Sequence, residues 1–267
     1  MKWTGEAEEA VSRVPFFIRK RVKKRVEEEA ERQGSSEVTI GHVQSCQKRY
    51  MGNMEDEVKG FQVETCFGPS GCPNRAVEDS GVATRIEELL TGKKLKAFLK
   101  GKVQGPLKFH HEFRVSVSDC PNACTRPQIA DIGLLGACRP EVSDDPCSGC
   151  GACVEACREN AIRIKDAETG PVVDHSKCLG CGKCMSACPT GTLRVAKKGW
   201  RILVGGKLGR HPQLGTELPG IFTTDEALVI IEIFLGFYLQ NNIEGERLGE
   251  VIERTAVNPS SLLPRVK

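Results

Sequence analysis

The pattern of apolar and polar residues predicts helices toward both ends of the chain. Helices are expected over residues 6–14 and 16–33, and Gly34 ends the second of them. A third should begin after Thr39, a residue type that often caps helices. Residues 224–239 are apolar on most sides, which predicts a buried helix. A shorter helix over residues 244–255 and a loosely ordered tail from residue 258 are expected to follow.

Two segments in the middle of the chain have the period of a strand. Phe61–Thr65 is expected to lead as a strand into a cysteine-containing turn, and a helix is expected over residues 80–90. Phe113–Ser118 alternates strictly, so its apolar side chains should face the core. We predict that the polar side of this strand forms a wall of a substrate cavity; its residues are Glu112, Arg114, Ser116 and Ser118.

Length and charge set only broad limits on function. A chain of 267 residues is long enough to bury a sizeable core without disulfides. Its 38 basic and 35 acidic residues give no general argument for binding nucleic acid or membranes. The first residues lack a signal-peptide pattern, and the longest apolar run is too short to cross a bilayer. We therefore expect a soluble cytoplasmic protein, in which the 14 cysteines are metal ligands rather than disulfides.

Eight of the cysteines form an internal repeat. Both copies have the spacing Cys-x2-Cys-x2-Cys-x3-Cys, and corresponding cysteines lie 31 positions apart. In this spacing three thiolates of one loop bind one [4Fe–4S] cluster, while the fourth binds the other cluster. A structural zinc site is the alternative, but such a site typically uses pairs of cysteines in Cys-x2-Cys motifs rather than two runs of four cysteines. The predicted ligand sets are Cys147, Cys150, Cys153 and Cys188 for one cluster, and Cys157, Cys178, Cys181 and Cys184 for the other.

Four further cysteines lie upstream in two pairs of different spacing. The pair of Cys66 and Cys72 is called the first hook, and the pair of Cys120 and Cys124 the second hook. Cys66 and Cys72 are separated by five residues, and Cys120 and Cys124 by three. Spacing alone leaves open whether they hold zinc or a further [4Fe–4S] cluster. Cys46 and Cys138 belong neither to the repeat nor to the two hooks, and we expect both to be small buried apolar residues.

The residues around the second hook resemble the sulfite and nitrite reductase family. Residues 119–124, Asp-Cys-Pro-Asn-Ala-Cys, and 131–136 are similar to that family's second cluster motif and its continuation. Residues 200–209 resemble its glycine-rich strand and turn, and residues 245–249 its C-terminal helix. The resemblance covers roughly residues 55–260. It implies an α+β fold with an antiparallel sheet and helices on one side of it.

The resemblance also implies cofactors and their ligands. Cys66, Cys72, Cys120 and Cys124 would bind a [4Fe–4S] cluster, which Cys124 would bridge to the iron of siroheme. Gly205, Gly206 and Lys207 would contribute to cofactor binding. The eight-cysteine repeat has the spacing of two-cluster ferredoxins and is called the ferredoxin repeat. With this repeat inserted as a relay, the chain would carry three [4Fe–4S] clusters and siroheme. It would reduce sulfite or nitrite with electrons from a donor protein.

The residues that would contact substrate depart from the family pattern. Relatives often carry two lysines on the strand before the second hook, where this chain has Glu112 and Arg114. A single cation at these positions makes sulfite less certain as the substrate, because a bound oxyanion needs several positive groups. Arg114 and His111 are the candidate catalytic residues, and His110 is a neighbour that could also supply charge. Surface or structural histidines are the alternative.

The N-terminal segment resembles a different family. Residues 3, 14–19, 28, 30, 34 and 39–40 are similar to the small helical domain at the C-terminus of light-independent protochlorophyllide reductase. The basic run at residues 19–25 is interpreted either as a solvated helix face or as a docking site for an acidic electron donor or siroheme carboxylates.

These segments predict three domains. They are a helical domain at residues 1–48, a siroheme and [4Fe–4S] domain at 55–140 and 196–267, and a ferredoxin domain inserted at 141–195. Full-length siroheme reductases contain two related halves, and only one is found here. We therefore expect an identical or related second subunit to complete the siroheme site.

Three functions remain open at this stage. The chain could be a siroheme enzyme that reduces sulfite or nitrite. It could be an electron-transfer or sensing subunit with three [4Fe–4S] clusters and no turnover of its own. It could also be a siroheme protein that acts on another sulfur or tetrapyrrole substrate.

Overall fold

The computed structural model describes residues 1–79, 81–166 and 169–263, without the side chains of residues 51–54. The chain divides into two compact units. The first contains Met1–Lys59 and Val103–His110, and the second contains Gly60–Lys102 and His111–Lys267.

The first unit is a small helical bundle. Its elements are β1 (Lys2–Trp3), α1 (Gly5–Ser12), α2 (Phe16–Arg32), β2 (Glu37–Val38) and α3 (Ile40–Glu57), with β1 and β2 parallel. Thr4 caps α1 by accepting a hydrogen bond from the Ala7 amide at 3.4 Å. The three helices pack around a core of Ala7, Val26, Ala30 and Val38. The helices expected in this region are therefore present, with ends shifted by one or two residues.

The second unit combines a five-stranded sheet with helices. Short 3-10 turns lie at Gly68–Ser70, Pro127–Ile129 and Pro259–Leu262, and a further one at Phe109–His111 precedes β4. In chain order its longer elements are β3 (Phe61–Thr65), α4 (Val82–Thr91), α5 (Leu95–Lys100), β4 (Phe113–Ser118), β5 (Ile132–Val142), α6 (Ala152–Glu155), β6 (Ile162–Ile164), β7 (Pro171–Val173), α7 (Lys183–Ala187), β8 (Leu193–Val204), β9 (Thr216–Glu217), α8 (Thr224–Asn241) and α9 (Leu248–Thr255).

The sheet is mixed rather than antiparallel. Its order is β3-β4-β5-β8-β9; β3, β4 and β5 run parallel, whereas β8 is antiparallel to β5 and β9 to β8. The expectation of an antiparallel sheet was wrong for these three strands. The crossover through α4 and α5 returns the chain in the same direction for β4, as a parallel pair requires. The α+β class is confirmed, because strands and helices both build the unit.

Helices cover one face of the sheet. Phe113, Val115 and Val117 of β4 point into this layer, as their alternation predicts, together with apolar residues of β5, β8, α4, α8 and α9. Trp200 of β8 is fully buried there and its indole Nε1 donates to Thr224 Oγ1 at 3.0 Å. Thr223 and Glu226 form a capping box that starts α8.

The cysteine repeat forms an insert between two paired strands. Because Val142 of β5 is paired with Leu193 of β8, the chain leaves and re-enters the sheet at adjacent points. Between them β6 and β7 form an antiparallel pair. The insert has its own small core of Cys153, Ile162, Cys184 and Leu193.

Several predicted element ends differ from the structure. Helix α4 begins at Val82, and the expected first residue, Ser80, lies outside the described residues. Helix α9 begins at Leu248 rather than at residue 244, because Asn242 accepts from the Gly245 amide and holds a turn there. The tail from residue 258 forms a 3-10 turn before the described chain ends at residue 263. Among the described helices, none combines the length and apolar character needed to span a bilayer.

Candidate functional site

The first cysteine hook starts where β3 ends. The thiol sulfur of Cys66 accepts hydrogen bonds from the backbone amides of Gly68 and Asp119, each at 3.3 Å. Amide donors of this kind stabilise a thiolate and so favour metal binding. The contact with Asp119 also joins the first hook to the second, because Asp119 immediately precedes Cys120.

The polar side of β4 anchors the second hook. Thr125, next to Cys124, donates through Oγ1 to the Val117 carbonyl at 3.1 Å, and its own carbonyl accepts from Ser116 Oγ at 2.9 Å. Ser118 Oγ lies 2.7 Å from Thr125 Oγ1. Ser116 and Ser118 are both buried by these contacts. The polar face therefore adjoins the second hook as predicted, but its serines fix the hook rather than line an open cavity.

Asp119 organises the space between the hooks. Its carbonyl accepts hydrogen bonds from the amides of Ala76 and Val77, at 2.8 and 3.1 Å. Its carboxylate accepts from Arg75 Nε at 2.9 Å. Burial raises the pKa of Asp119 above its ordinary value, and Arg75 opposes this shift.

Two glycines of β5 allow the hook to lie directly over the sheet. A Cβ at Gly133 would overlap the carbonyl of Pro127, and one at Gly136 would overlap the carbonyl of Asp119. Only glycine permits such close approach of two backbone segments. The glycines in the segment 131–136 are thus explained by packing against the second hook.

The structure brings the four hook cysteines together. Burial raises the pKa of the Cys120 thiol, and Cys124, Cys66 and Cys72 lie close enough to add to this shift. Cys120 is buried, whereas Cys124 is exposed and its sulfur accepts from Asn122 Nδ2 at 3.1 Å. Within the group of hook cysteines, Cys120 is therefore the inner thiol and Cys124 the thiol that faces outward.

The ferredoxin cysteines form two further groups. Burial raises the pKa of the Cys153 thiol, and Cys188 and Cys147 add to this shift. A hydrogen bond from the Ala152 amide lowers the pKa of Cys150, and Cys188 opposes that shift. Burial raises the pKa of Cys184 to about 12, and Cys178, Cys181 and Cys157 add to the effect. Burial opposes ionisation of Cys188, but hydrogen bonds from Leu193 and Thr190 lower its pKa to about 7. Each group thus takes its fourth member from the other copy of the repeat.

A cavity connects one ferredoxin group with the second hook. It has a volume of about 270 Å³. Cys120 and Asn122 of the hook line it together with four cysteines of the insert, which are Cys157, Cys178, Cys181 and Cys184. In the described parts of the chain, no three His, Cys, Asp or Glu side chains are arranged to hold a single metal ion.

The predicted substrate residues have different surroundings. Glu112 is buried, with only 2% of its surface exposed, and its carboxylate accepts from the Gly60 amide at 3.0 Å. This contact accounts for a glutamate at a position where relatives often carry a lysine. Arg114 and His111 are both half-buried. The Arg114 amide donates to the Asp131 carboxylate at 2.8 Å.

Gly205, Gly206 and Lys207 lie where β8 meets α9. Gly205 has a φ of +79° and packs against Gly249, and a Cβ at Gly206 would overlap the Gln128 carbonyl. Lys207 is buried and its Nζ donates to Glu250 at 2.9 Å. These contacts give all three residues a packing role, and their role in cofactor binding stays a prediction.

One central residue was missed by sequence reasoning. Asp131 is fully buried and accepts from Arg247 Nη2 at 2.6 Å and from the Leu248 amide at 3.1 Å. Burial lowers the pKa of Arg247, but the nearby Asp131 carboxylate outweighs burial, so that the pKa is raised. This ion pair joins the start of β5 to the start of α9. The sequence signal was weak, since an Asp and an Arg more than 100 positions apart are not recognisable as partners.

In the first unit, part of the basic run is used for internal contacts. Arg19 donates to the Val14 carbonyl, Lys23 lies 5.1 Å from the Trp3 ring, and Arg25 lies 5.5 Å from the Tyr50 ring. These contacts favour a structural role for those three cations. Docking of a donor protein or siroheme by the run stays a prediction.

Comparisons with known proteins agree with the resemblance seen in the sequence. Residues 60–259 match the family model of the nitrite and sulphite reductase 4Fe-4S domain. Residues 3–46 match that of the proto-chlorophyllide reductase 57 kD subunit.

Individual relatives include two proteins named for sulfite reduction. The coenzyme F420-dependent sulfite reductase of Methanocaldococcus jannaschii is 42% identical over 146 residues, which are 54% of this chain and 23% of that protein. A subunit of the anaerobic sulfite reductase of Salmonella typhimurium is 29% identical over 195 residues, which are 72% of this chain and 51% of that subunit. The chain thus spans about half or less of the length of these relatives.

A solved structure shares the fold. The crystal structure of dissimilatory sulfite reductase I superimposes with a TM-score of 0.51 at 18% identity. The match covers 81% of this chain and 56% of the other.

Proposed function

The chain belongs to the nitrite and sulphite reductase 4Fe-4S family, and on that basis we propose that it reduces sulfite at a siroheme coupled to a [4Fe–4S] cluster. The observation that carries this proposal is the cavity shared by Cys120 of the second hook and four cysteines of the ferredoxin insert. A relay and a reaction centre need such proximity. Sulfite is preferred to nitrite because both relatives described above are named for sulfite reduction.

The cysteine groups fit the proposed clusters in their chemistry. Each of the three groups supplies four thiol sulfurs, the usual ligand set of a [4Fe–4S] cluster. Soft thiolate ligands favour iron–sulfur clusters or zinc over harder ions. In a cubane each thiolate binds a different iron, so its ligands stand farther apart than those of a single ion. The two amides that donate to Cys66 would also tune the cluster's potential.

The outward-facing thiol of Cys124 fits a bridging ligand. Its exposure leaves room for a large group over the sulfur, and Asn122 holds that sulfur in place by a 3.1 Å hydrogen bond. When bound, siroheme would supply the iron at which the sulfur–oxygen bonds of sulfite are broken. Arg114 is proposed to orient the oxyanion and His111 to donate protons. Gly205, Gly206 and Lys207 are proposed as further cofactor contacts.

A second polypeptide is proposed to complete the site. An exposed Cys124 would leave the bound cofactor open to water on this chain alone. The Salmonella relative is named as one subunit of an anaerobic sulfite reductase, a name that implies an assembly of subunits for that protein. An identical or related subunit and an electron-donor protein are the proposed partners.

The second candidate function is electron transfer or sensing without turnover. It is favoured by Glu112, a buried acidic residue at a position where relatives often carry a lysine. In this case the three cysteine groups would hold [4Fe–4S] clusters, and the reaction would take place on another subunit.

Absorption spectroscopy and iron analysis of anaerobically purified protein distinguish the two functions. We expect siroheme bands together with more than about twelve iron atoms per chain, since three cubanes account for twelve. In steady-state assays, the reduced viologen should then be oxidised when sulfite is added, and the rate with nitrite is measured for comparison. About twelve irons without siroheme bands would instead support the electron-transfer function.

A further inference from the structure

The two copies of the cysteine repeat have different surroundings. Val154 and Met185 are equivalent, since each directly follows the third cysteine of its copy. Val154 is 38% exposed. Met185 is partly buried and packs against two apolar clusters, the core of the insert and the group formed by Ala76, Cys120 and Cys138. An internal symmetry in the sequence thus becomes an asymmetry in the fold.

The second copy is also the one attached to the sheet. The Cys138 amide of β5 donates to the Gly180 carbonyl at 2.6 Å, and Cys138 pairs with Cys181 as an isolated parallel bridge. A Cβ at Gly182 would lie 3.4 Å from Cys138 Cβ. At Gly151, the equivalent position of the first copy, such an atom would meet no described atom within 4 Å.

These contacts order the three cysteine groups. The residues that line the cavity include Cys120 and the cysteines of one insert group only. That group is Cys157, Cys178, Cys181 and Cys184. The group that contains Cys178 is therefore adjacent to the hook, whereas no cysteine of the group that contains Cys147 lines this cavity.

From this arrangement, and resting on the proposed function, we propose that Met185 is a positioning residue for electron transfer between the insert and the second hook. Together with Cys138 it forms an apolar contact between the adjacent ferredoxin group and Cys120. Close packing holds the two groups at a fixed separation.

The step assisted by this contact is a one-electron exchange. The cluster held by the adjacent ferredoxin group loses one electron, and the cluster held by the hook gains it, with no bond made and no proton moved. The electron comes from a low-potential one-electron donor, which is reduced viologen in the experiment.

The experiment compares Met185→Gln with Val154→Gln in the anaerobically purified full chain. Each protein is mixed with less than one equivalent of reduced viologen, frozen at successive times and examined by electron paramagnetic resonance. The measured quantity is the rate at which the ferredoxin signals relax to their equilibrium intensity as the hook signal grows. Iron content and hydrogen exchange at the Cys138 amide are measured in parallel, to show that the clusters and the attachment to β5 remain.

We expect Met185→Gln to slow this relaxation by roughly tenfold or more, a typical effect of disturbing the surroundings of a metal site. Val154→Gln should relax at the wild-type rate, and Met185→Leu, which keeps the apolar volume, should restore it. If Met185→Gln loses iron, Met185→Ala provides the same comparison with a smaller side chain.

Two results would overturn the inference and leave the proposed function intact. One is a wild-type relaxation rate in both Met185→Gln and Met185→Ala with full iron content. The other is equal slowing by Val154→Gln, which would show a general effect on the insert. An iron content well below about twelve in the wild-type protein would instead overturn the proposed function, and the inference with it.

Discussion

Gly136 of β5 lies so close to Asp119 that a Cβ on the glycine would overlap the Asp119 carbonyl. The same carbonyl accepts hydrogen bonds from Ala76 and Val77, and the Asp119 amide donates to the Cys66 sulfur. A single close approach of two backbones therefore sets the position of both cysteine hooks over the sheet.

Gly136→Ala should displace the second hook. We expect a loss of stability of about 1–3 kcal/mol from overpacking, and a loss of about four iron atoms per chain as the hook cluster fails to assemble. Denaturant unfolding and iron analysis measure the two effects. Gly236→Ala in α8 is the matched control, because a Cβ there meets no described atom within 4 Å and helix propensity favours alanine by about 0.4–1 kcal/mol. Equal stability of the two variants would contradict the prediction.

Cys124→Ser should remove the hook cluster and keep both ferredoxin clusters. The iron content is expected to fall by about four atoms for the lost cubane, and any siroheme bands should disappear because Cys124 is the proposed bridge. Cys46→Ser, a change in the helical unit, is the control and should retain all iron. Loss of all iron in Cys124→Ser would show that the hook and the insert do not bind their clusters independently.

Asp131→Ala should strongly destabilise the second unit. It leaves the Arg247 guanidinium without its partner in a site where the aspartate side chain is only 1% exposed. Breaking a buried ion pair in this way typically costs about 3–5 kcal/mol. For comparison, Arg13→Ala breaks a pair with Glu9 whose side chains are 77% and 71% exposed, and should cost less than about 1 kcal/mol. The urea midpoints of the two variants test the difference, and a loss below about 1 kcal/mol for Asp131→Ala would refute the stabilising role of the pair.

Glu29 should make the stability of the helical unit depend on pH. A hydrogen bond from Gln33 lowers its pKa below the ordinary value of 4.5; burial opposes this, and Arg49 and Arg32 add to the lowering. Because the ionised form is favoured in the folded state, the stabilisation is present above the ordinary pKa and is lost as pH falls through the lowered pKa. Carbon-13 NMR titration of the Glu29 carboxyl should give a midpoint below 4.5.

Arg49→Ala supplies the control for this titration. Removing a cation whose Nη1 lies 2.5 Å from the carboxylate should move the Glu29 midpoint upward. An unchanged midpoint would mean that the ion pair does not form in solution.

Local patterns determined much of the fold and of the candidate site. The strands Phe61–Thr65 and Phe113–Ser118 are present with the bounds that their alternation predicted. The long C-terminal helix begins at Thr224, also as predicted. The spacing of the cysteines was sufficient to nominate the two ligand groups of the repeat, whereas the group of Cys66, Cys72, Cys120 and Cys124 also needed the family resemblance of the neighbouring residues. Period and spacing are properties of neighbouring residues, so the sequence displays them directly.

Other features were decided only by tertiary structure. The parallel direction of β3, β4 and β5, the ion pair of Asp131 with Arg247, and the attachment of Cys138 to the ferredoxin insert all join segments that are distant along the chain. In the sequence, Glu112 is an unexpected residue for an oxyanion site because of its negative charge. In the fold its carboxylate accepts a hydrogen bond from the Gly60 amide, which explains its presence. Its partner lies 52 positions away, and no local pattern connects them. The sequence by itself thus nominated the residues that are proposed to bind metal, whereas packing between distant segments decided which cysteine groups lie next to each other.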